Sequence, residues 1–279
     1  MTPVLAIAMD LWREAASRRW FLVLGFGLTA FLLAMASSLE IEVVDGALAA
    51  TRLFGDAVFG TDIRAADVAL RPVFLAAAYV IFYGGLVFGV LSTADFAPSL
   101  LSPGRIEHLL SMPIARWQIV GGTFFGVVGI ALLGALYASG GFTLILGVKT
   151  GVWTGRLVVA SLLAVLCFAS VYGGMLSAAM FARSAAVSGM VGLGLIVAGV
   201  VAGNRLTLAP AFEAGASRAI FEAITAVLPP LSTVADLAAG LAGTQDVDPS
   251  TLVRRLAGVL VFGAALGMIG VWRFETRDF

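Results

Sequence analysis

Six stretches of seventeen or more residues carry no charge and are mostly apolar: Trp20–Leu39, Pro72–Ser92, Trp117–Val148, Leu157–Ala182, Ser184–Asn204 and Leu256–Trp272. A bilayer core about 30 Å thick takes about 20 such residues as a helix. Lipid offers no hydrogen-bond partner to a bare peptide group, so segments of this length cross it as helices. The chain is therefore expected to be all-α, a polytopic membrane protein with six transmembrane helices. Its composition agrees: 60% of residues are hydrophobic and 12% charged, against roughly 45–50% apolar in a soluble domain. The third run exceeds one span and has to tilt or extend into the interface.

What the chain lacks narrows its function. Formal net charge is zero, so no large positive field points to nucleic acid, and no nucleic-acid partner is expected. Gly141–Thr150 ends in GVKT, but the lysine lacks the directly preceding glycine of a nucleotide-binding loop, so the chain is not expected to hydrolyse ATP by itself. The one histidine, His108, and the one cysteine, Cys167, lie far apart in sequence, which argues against a zinc site or a Cys–His nucleophile. No catalytic, cofactor-binding or metal-binding residue is expected, and Cys167, inside the fourth run, reads as a small buried hydrophobe. The runs hold almost none of the ionisable residues that mark proton or ion paths. That argues against a proton-coupled transporter and against an intramembrane protease.

A single transmembrane domain over residues 1–279 is expected. Residues 1–19 form an amphipathic interfacial helix, with Ala8, Leu11, Trp12 and Ala15 on one face and Asp10, Arg13, Glu14 and Ser17 largely on the other. Arg18, Arg19 and Trp20 then mark the headgroup boundary. Ala34, Met35 and Ala36 before Ser37 are compatible with a signal-peptide cleavage site, but the long, structured start favours an uncleaved span. Residues 20–92 hold spans one and two with an outer loop, 40–71, in which Leu48, Leu53, Phe54, Val58 and Phe59 suggest a short surface helix. Residues 117–204 hold spans three to five. Residues 205–255 form an outer region with short helices over Ala219–Val227 and Ser232–Leu241, as an inserted hairpin or a surface cap. Residues 256–279 are the last span and a tail. Six spans put both ends and residues 93–116 on one side, expected to be the cytoplasmic face of the inner membrane. Basic residues, eight on that side and nine on the other, do not decide the orientation.

The polar break at 93–116 has a start and a stop. Ser102 suits an N-cap, Pro103 the first helical position, and Pro113 ends the helix, which gives a short helix over Ser102–Ser111. Ile106, Leu109 and Leu110 make a narrow apolar stripe flanked by Arg105, Glu107 and His108. On this pattern alone the segment is either a solvated connector or a docking element. Four small-xxx-small pairs, Gly85 with Gly89, Gly122 with Gly126, Gly199 with Gly203 and Gly263 with Gly267, are expected to bring helices close.

Three stretches resemble the ABC-2 type permeases, especially the branch that includes the permease of the nitrous-oxide reductase (multi-copper enzyme) maturation system. Ile7–Leu22, IAMDLWREAASRRWFL, resembles that family's opening interfacial helix, with Asp10 where the family more often has Glu or Lys. Ser102–Gly126, SPGRIEHLLSMPIARWQIVGGTFFG, resembles its central block, which Gly104, Glu107, Leu109, Leu110, Pro113, Arg116, Gly122 and Gly126 match in order. Thr123 departs from it, standing where a basic residue usually follows the glycine. The ending RFETRDF resembles the family's common C-terminus.

The resemblance implies a non-catalytic permease subunit of an ATP-binding-cassette transporter, driving export or handling of a substrate. ATP and Mg would be bound by a separate ATPase chain, and a second permease copy, as homodimer or heterodimer, would complete the membrane unit. The Ser102–Ser111 helix would be the coupling helix seated in a groove of that ATPase. Ile106, Leu109 and Leu110 would anchor it, Ser102, Gly104, Arg105, Glu107 and His108 would border it, and Pro113 and Arg116 would lead into the third span. The alternative is a mechanically acting membrane partner of a periplasmic protein docked on the outer loops.

Overall fold

The structure, a computed structural model, describes residues 2–44, 47–53, 56–57, 64–65, 70–212, 215–243 and 245–277. In chain order the helices are α1 (Pro3–Ser17), α2 (Arg19–Ser38), α3 (Arg71–Thr93), α4 (Phe96–Ser99), α5 (Arg105–Ser111), α6 (Arg116–Thr150), α7 (Arg156–Ala182), α8 (Ala185–Gly203), α9 (Arg205–Leu208), α10 (Ala216–Val227), α11 (Leu231–Ala242) and α12 (Pro249–Glu275). Among the described residues five stretches are long and apolar enough to cross a membrane: Arg71–Ser99, α6, α7, α8 and α12. The pair α10 and α11, bent by 57° at its break, passes the same test together, and α2 carries a shorter apolar stretch, Gly25–Ser37.

α7 is the centre. Nineteen of its 27 residues are buried against four of 27 in α12, and it packs on α3, α6, α8, α11 and α12. Lipid tails are as apolar as leucine, so helices inside a membrane are joined by close packing and hydrogen bonds rather than by hydrophobic drive. The α7–α12 seam uses both. A Cβ on Gly263 would lie 2.3 Å from the Ser170 Cα, and one on Gly173 would lie 2.4 Å from the Gly263 carbonyl oxygen. Across the same seam the Ser170 hydroxyl donates to the Val259 carbonyl at 2.7 Å, and Ser177 donates to that of Leu266.

The other glycine pairs divide. Gly199 and Gly203 admit Leu231 and Ser232 of α11, Gly89 admits the Phe168 ring, and Gly122 and Gly126 admit Ile7 and Ala8 of α1. Gly85 differs from expectation, since nothing lies within 4 Å of where its Cβ would be, and Gly267 is only in ordinary contact range of Gly173.

α6, at 35 residues, is about 52 Å long, well beyond a bilayer core. Its first turns carry α1. Ala8, Leu11 and Ala15 are buried, and the Trp12 indole N–H donates to the Gly126 carbonyl at 2.8 Å. The apolar face expected to lie on the membrane is thus covered by the protein's own third run.

Two further expectations change. Within 40–71 the described residues form a β-ribbon, not a surface helix: β1 (Leu39–Val44) pairs antiparallel with β2 (Ala47–Leu53), and β3 (Asp56–Ala57) and β4 (Arg64–Ala65) each pair with β2. Leu39 to Val43 alternate apolar and acidic with period two, and Asp45-Gly46 is a strong hairpin dipeptide. Phe54, Val58 and Phe59 lie outside the described residues. The last helix also starts earlier than its apolar run, at Pro249, because Asp248 caps it by accepting from the Ser250 and Thr251 amides. The Thr251 and Ser250 hydroxyls, with those amides, hold the Asp248 carboxyl down at about 2.

α11 is not a surface cap. Leu231, Val234, Ala235, Ala238, Ala239 and Ala242 are buried against α3, α7 and α8. It meets α8 at the Gly199–Gly203 end, and a Cβ on Gly243, just after it, would contact the Arg71 carbonyl oxygen at the start of α3. The pair α10 and α11 therefore returns to the end of the bundle that it left.

Gly263→Val should lower the melting temperature of the protein in detergent, because the clash is with backbone; overpacking of this kind costs about 1–3 kcal/mol. Gly85→Ala should be neutral or stabilising. Equal destabilisation by both variants in a thermal-shift series would refute the seam.

Candidate functional site

The polar break joins α3 to α6 and is built in two short helices. α3 ends at Thr93, α4 follows, and Gly104, with φ of +80°, turns the chain into α5. That left-handed conformation suits glycine and strains other residues. Ser102 is not the side-chain cap that the sequence leads one to expect. Its hydroxyl donates to the Ser99 carbonyl at 2.7 Å, while its own carbonyl accepts from the Ile106 amide at 3.2 Å. Met112 is extended ahead of Pro113, the conformation that a following proline imposes.

Four charges fix where α5 sits. The Glu14 carboxylate of α1 accepts from Arg18 at 2.5 Å and from Arg105 of α5 at 2.8 Å. Arg18 also pairs with Asp95, in the turn before α4, and its guanidinium lies 4.6 Å from the centroid of the Phe96 ring. Two acids and two arginines make the cluster neutral. Burial opposes ionisation of Glu14, but the hydrogen bonds from Arg105 and Arg18 outweigh it, so its pKa lies below the ordinary value. Burial likewise works against the Arg18 charge, and the bonds to Glu14 and Asp95 overcome it and raise its pKa. Pairs this open to water contribute roughly 0.2–1 kcal/mol each. The cluster therefore sets register rather than holding the bundle together.

The C-terminal end closes the other side. Arg116, first residue of α6, donates to the carbonyls of Glu275 at 3.0 Å and Arg277 at 2.7 Å. Arg277 in turn donates to the Met180 carbonyl at the end of α7, and Phe274 is buried. α1, α4, α5, the start of α6 and the last turn of α12 thus gather at one end of the bundle.

The predicted stripe is turned inward. Ile106 is 6% exposed, and Leu109 and Leu110 pack partly buried against the same core, so these residues anchor α5 to its own protein. Arg105 is held by Glu14 instead of standing at a rim. What α5 leaves bare is Pro103, Gly104, Glu107, His108, Ser111, Met112 and Pro113. Among the described residues this segment brings together no metal-ligating group of three. From the sequence Glu14 was placed only on the polar face of the first helix and Arg18 only at the headgroup boundary, and no role was assigned to Asp95 or Arg277. The i,i+4 pair of Glu14 and Arg18 was readable on a helix, whereas the partners 77 and 91 residues away in sequence, Asp95 for Arg18 and Arg105 for Glu14, left no local signal.

No protein-family model matches this chain, and no curated protein matches it.

Because the folded-state pKa of Glu14 is depressed, its stabilisation is complete above the ordinary glutamate range, roughly 4.3, and is lost as pH falls through the lower folded value. Glu14→Gln should therefore melt below the wild type at neutral pH. The gap should close on acidification below that range, and a gap that widened instead would contradict the assigned pairing.

Proposed function

We propose that the chain is the transmembrane permease subunit of an ATP-binding-cassette transporter of the ABC-2 type. In this reading it supplies no catalytic residue. A separate ATPase chain binds ATP and Mg and hydrolyses the nucleotide, a second permease copy completes the membrane unit, and the stroke drives export or handling of a substrate. The membrane is the cytoplasmic one. The crossings are α2, α3, α6, α7, α8 and α12, with α10 and α11 as a re-entrant pair, and the end that carries α1 and α5 is cytoplasmic.

The observation that carries the reading is the two-sidedness of α5. Ile106 ties one side to the bundle, while Glu107, His108, Ser111, Met112 and Pro113 stand free on the other. A partner pressing on that side meets a small mixed patch of the kind found at interface rims and cores. Displacement of α5 passes through Arg105 to α1 and through Pro113 and Arg116 into α6, since those are its attachments. The motif match of Gly104, Glu107, Leu109, Leu110, Pro113 and Arg116 supports the same role, with Leu109 and Leu110 now assigned to holding the helix in place.

Charge reversal on the free side, Glu107→Arg with His108→Glu, should reduce co-purification of the partner ATPase subunit by about tenfold or more, a loss of roughly 1.4 kcal/mol or greater. Membrane insertion and melting temperature should stay unchanged. Ile106→Asp should instead unfold the α5 end, separating a docking defect from a folding one. Undiminished co-purification of the charge-reversed chain would count against the docking role.

A further inference from the structure

Away from the ionic end, α11 lays a carboxylate against two tyrosines of α3. The Tyr79 hydroxyl donates to Asp236 Oδ1 at 2.7 Å. The Tyr79 and Tyr83 rings are parallel, 5° between planes with centroids 6.3 Å apart, one helical turn from each other. Tyr83 is held edge-on to Phe82, whose side chain is fully buried, and it lies within electrostatic reach of the same carboxylate. Asp236 is exposed and both tyrosines are half-buried, so the three groups open outward from the bundle.

The position makes this carboxylate unusual. Asp236 is the only charged residue of α11 and the only acid in α3, α6, α7, α8 and α11. Tyr79 stands eight residues into α3 from Arg71, about 12 Å along the axis, so the cluster lies below the end of the bundle. An ionised side chain at such depth is costly and is normally paired or placed on a ligand path. Among the described residues no lysine or arginine bridges Asp236, and its hydrogen bond comes from a neutral phenol. A metal ion would want several hard or nitrogen ligands together, and no group of three His, Cys, Asp or Glu occurs among the described residues. A carboxylate at the hydroxyl edge of one tyrosine, with a second, parallel tyrosine ring a turn away, has the chemistry that receives an organic cation: the acid takes the charge and the aromatic rings take the polarised C–H or N–H groups around it.

We propose that Asp236, Tyr79 and Tyr83 form a binding site for an organic ammonium group, presented by a lipid headgroup or by a free amine. The site does not depend on an ATPase docking at α5. Tyr79 orients the carboxylate through its hydroxyl, and Tyr83 extends the aromatic wall by one turn.

The test uses the full chain in nanodiscs of phosphatidylglycerol, with tritiated choline as the probe in a scintillation-proximity assay. Saturable binding is expected, with no competition from the uncharged isostere in which carbon replaces the choline nitrogen. Asp236→Asn should weaken binding about tenfold or more, as loss of a charge-assisted contact does. Tyr79→Phe, which keeps the acid and both rings, should weaken it by a smaller factor of about three and serves if the Asn variant misfolds. Competition by phosphatidylcholine added to the disc would assign the ammonium to a lipid headgroup, and its absence to a free cation. The proposal is overturned if choline does not bind saturably, if the neutral isostere competes equally, or if both variants bind as the wild type does. It is also overturned if choline fails to bind while Asp236→Asn breaks a dimer, which would make the counter-charge an arginine of a second copy.

Discussion

Within lipid, one apolar surface gains nothing by leaving the bilayer for another, so this bundle depends on how closely backbones can approach. α7 meets that constraint with small residues on several sides: Ala160, Ala164, Ser170, Gly173, Ser177 and Ala179 are all buried. α12 comes within touching distance of its main chain at Gly263, and serine hydroxyls use spare lone pairs on carbonyls of the facing helix. Methyl-sized changes at the seam have nowhere to go, whereas large residues on the outer side of α12, such as Val261 and Met268, stand exposed. Once α7 is fixed, α3, α6, α8 and α11 are placed by their contacts with it.

The end of the bundle is held by another kind of force. There α1, the turn at Asp95 and α5 are joined by a neutral set of two acids and two arginines, partly open to water, while the tail is strapped by arginine to backbone carbonyls. Such contacts are directional but individually weak, so they specify one arrangement without making it costly to leave. The spans are thus joined by close backbone contact and hydroxyl–carbonyl hydrogen bonds, and the end that carries α5 by ion pairs and arginine–carbonyl contacts. Gly104 and Pro113 bracket α5, one through a left-handed turn and the other through the extended residue ahead of it.

Much of this was legible because membrane helices announce themselves by length and absence of charge. The runs beginning at Pro72, Trp117, Leu157 and Ser184 became helices whose bounds differ from the runs by no more than two residues, and Pro113 stopped α5 as proline does. The misreadings share a cause. The stripe of Ile106, Leu109 and Leu110 shows that α5 has an apolar side, but a stripe does not say whether the protein itself or a partner covers it. The same holds for Ala8, Leu11 and Ala15 of α1. In the outer loop the period-two alternation of Leu39 to Val43 is the signature of a strand, and β1 forms there, whereas scattered apolar residues such as Leu48 and Leu53 do not by themselves distinguish a strand from a helix.

The sequence by itself determined that the chain is built of membrane-length helices and where their polar breaks fall, since these follow from hydropathy and local stereochemistry. Only the tertiary structure decided that Gly85 faces open space while Gly263 touches backbone, that Arg105 answers Glu14, and that Asp236 of a short helix lies beside Tyr79 of α3. Those pairings join residues from 91 to 157 positions apart. Nothing in local spacing encodes them, because they are set by how the helices stack around α7.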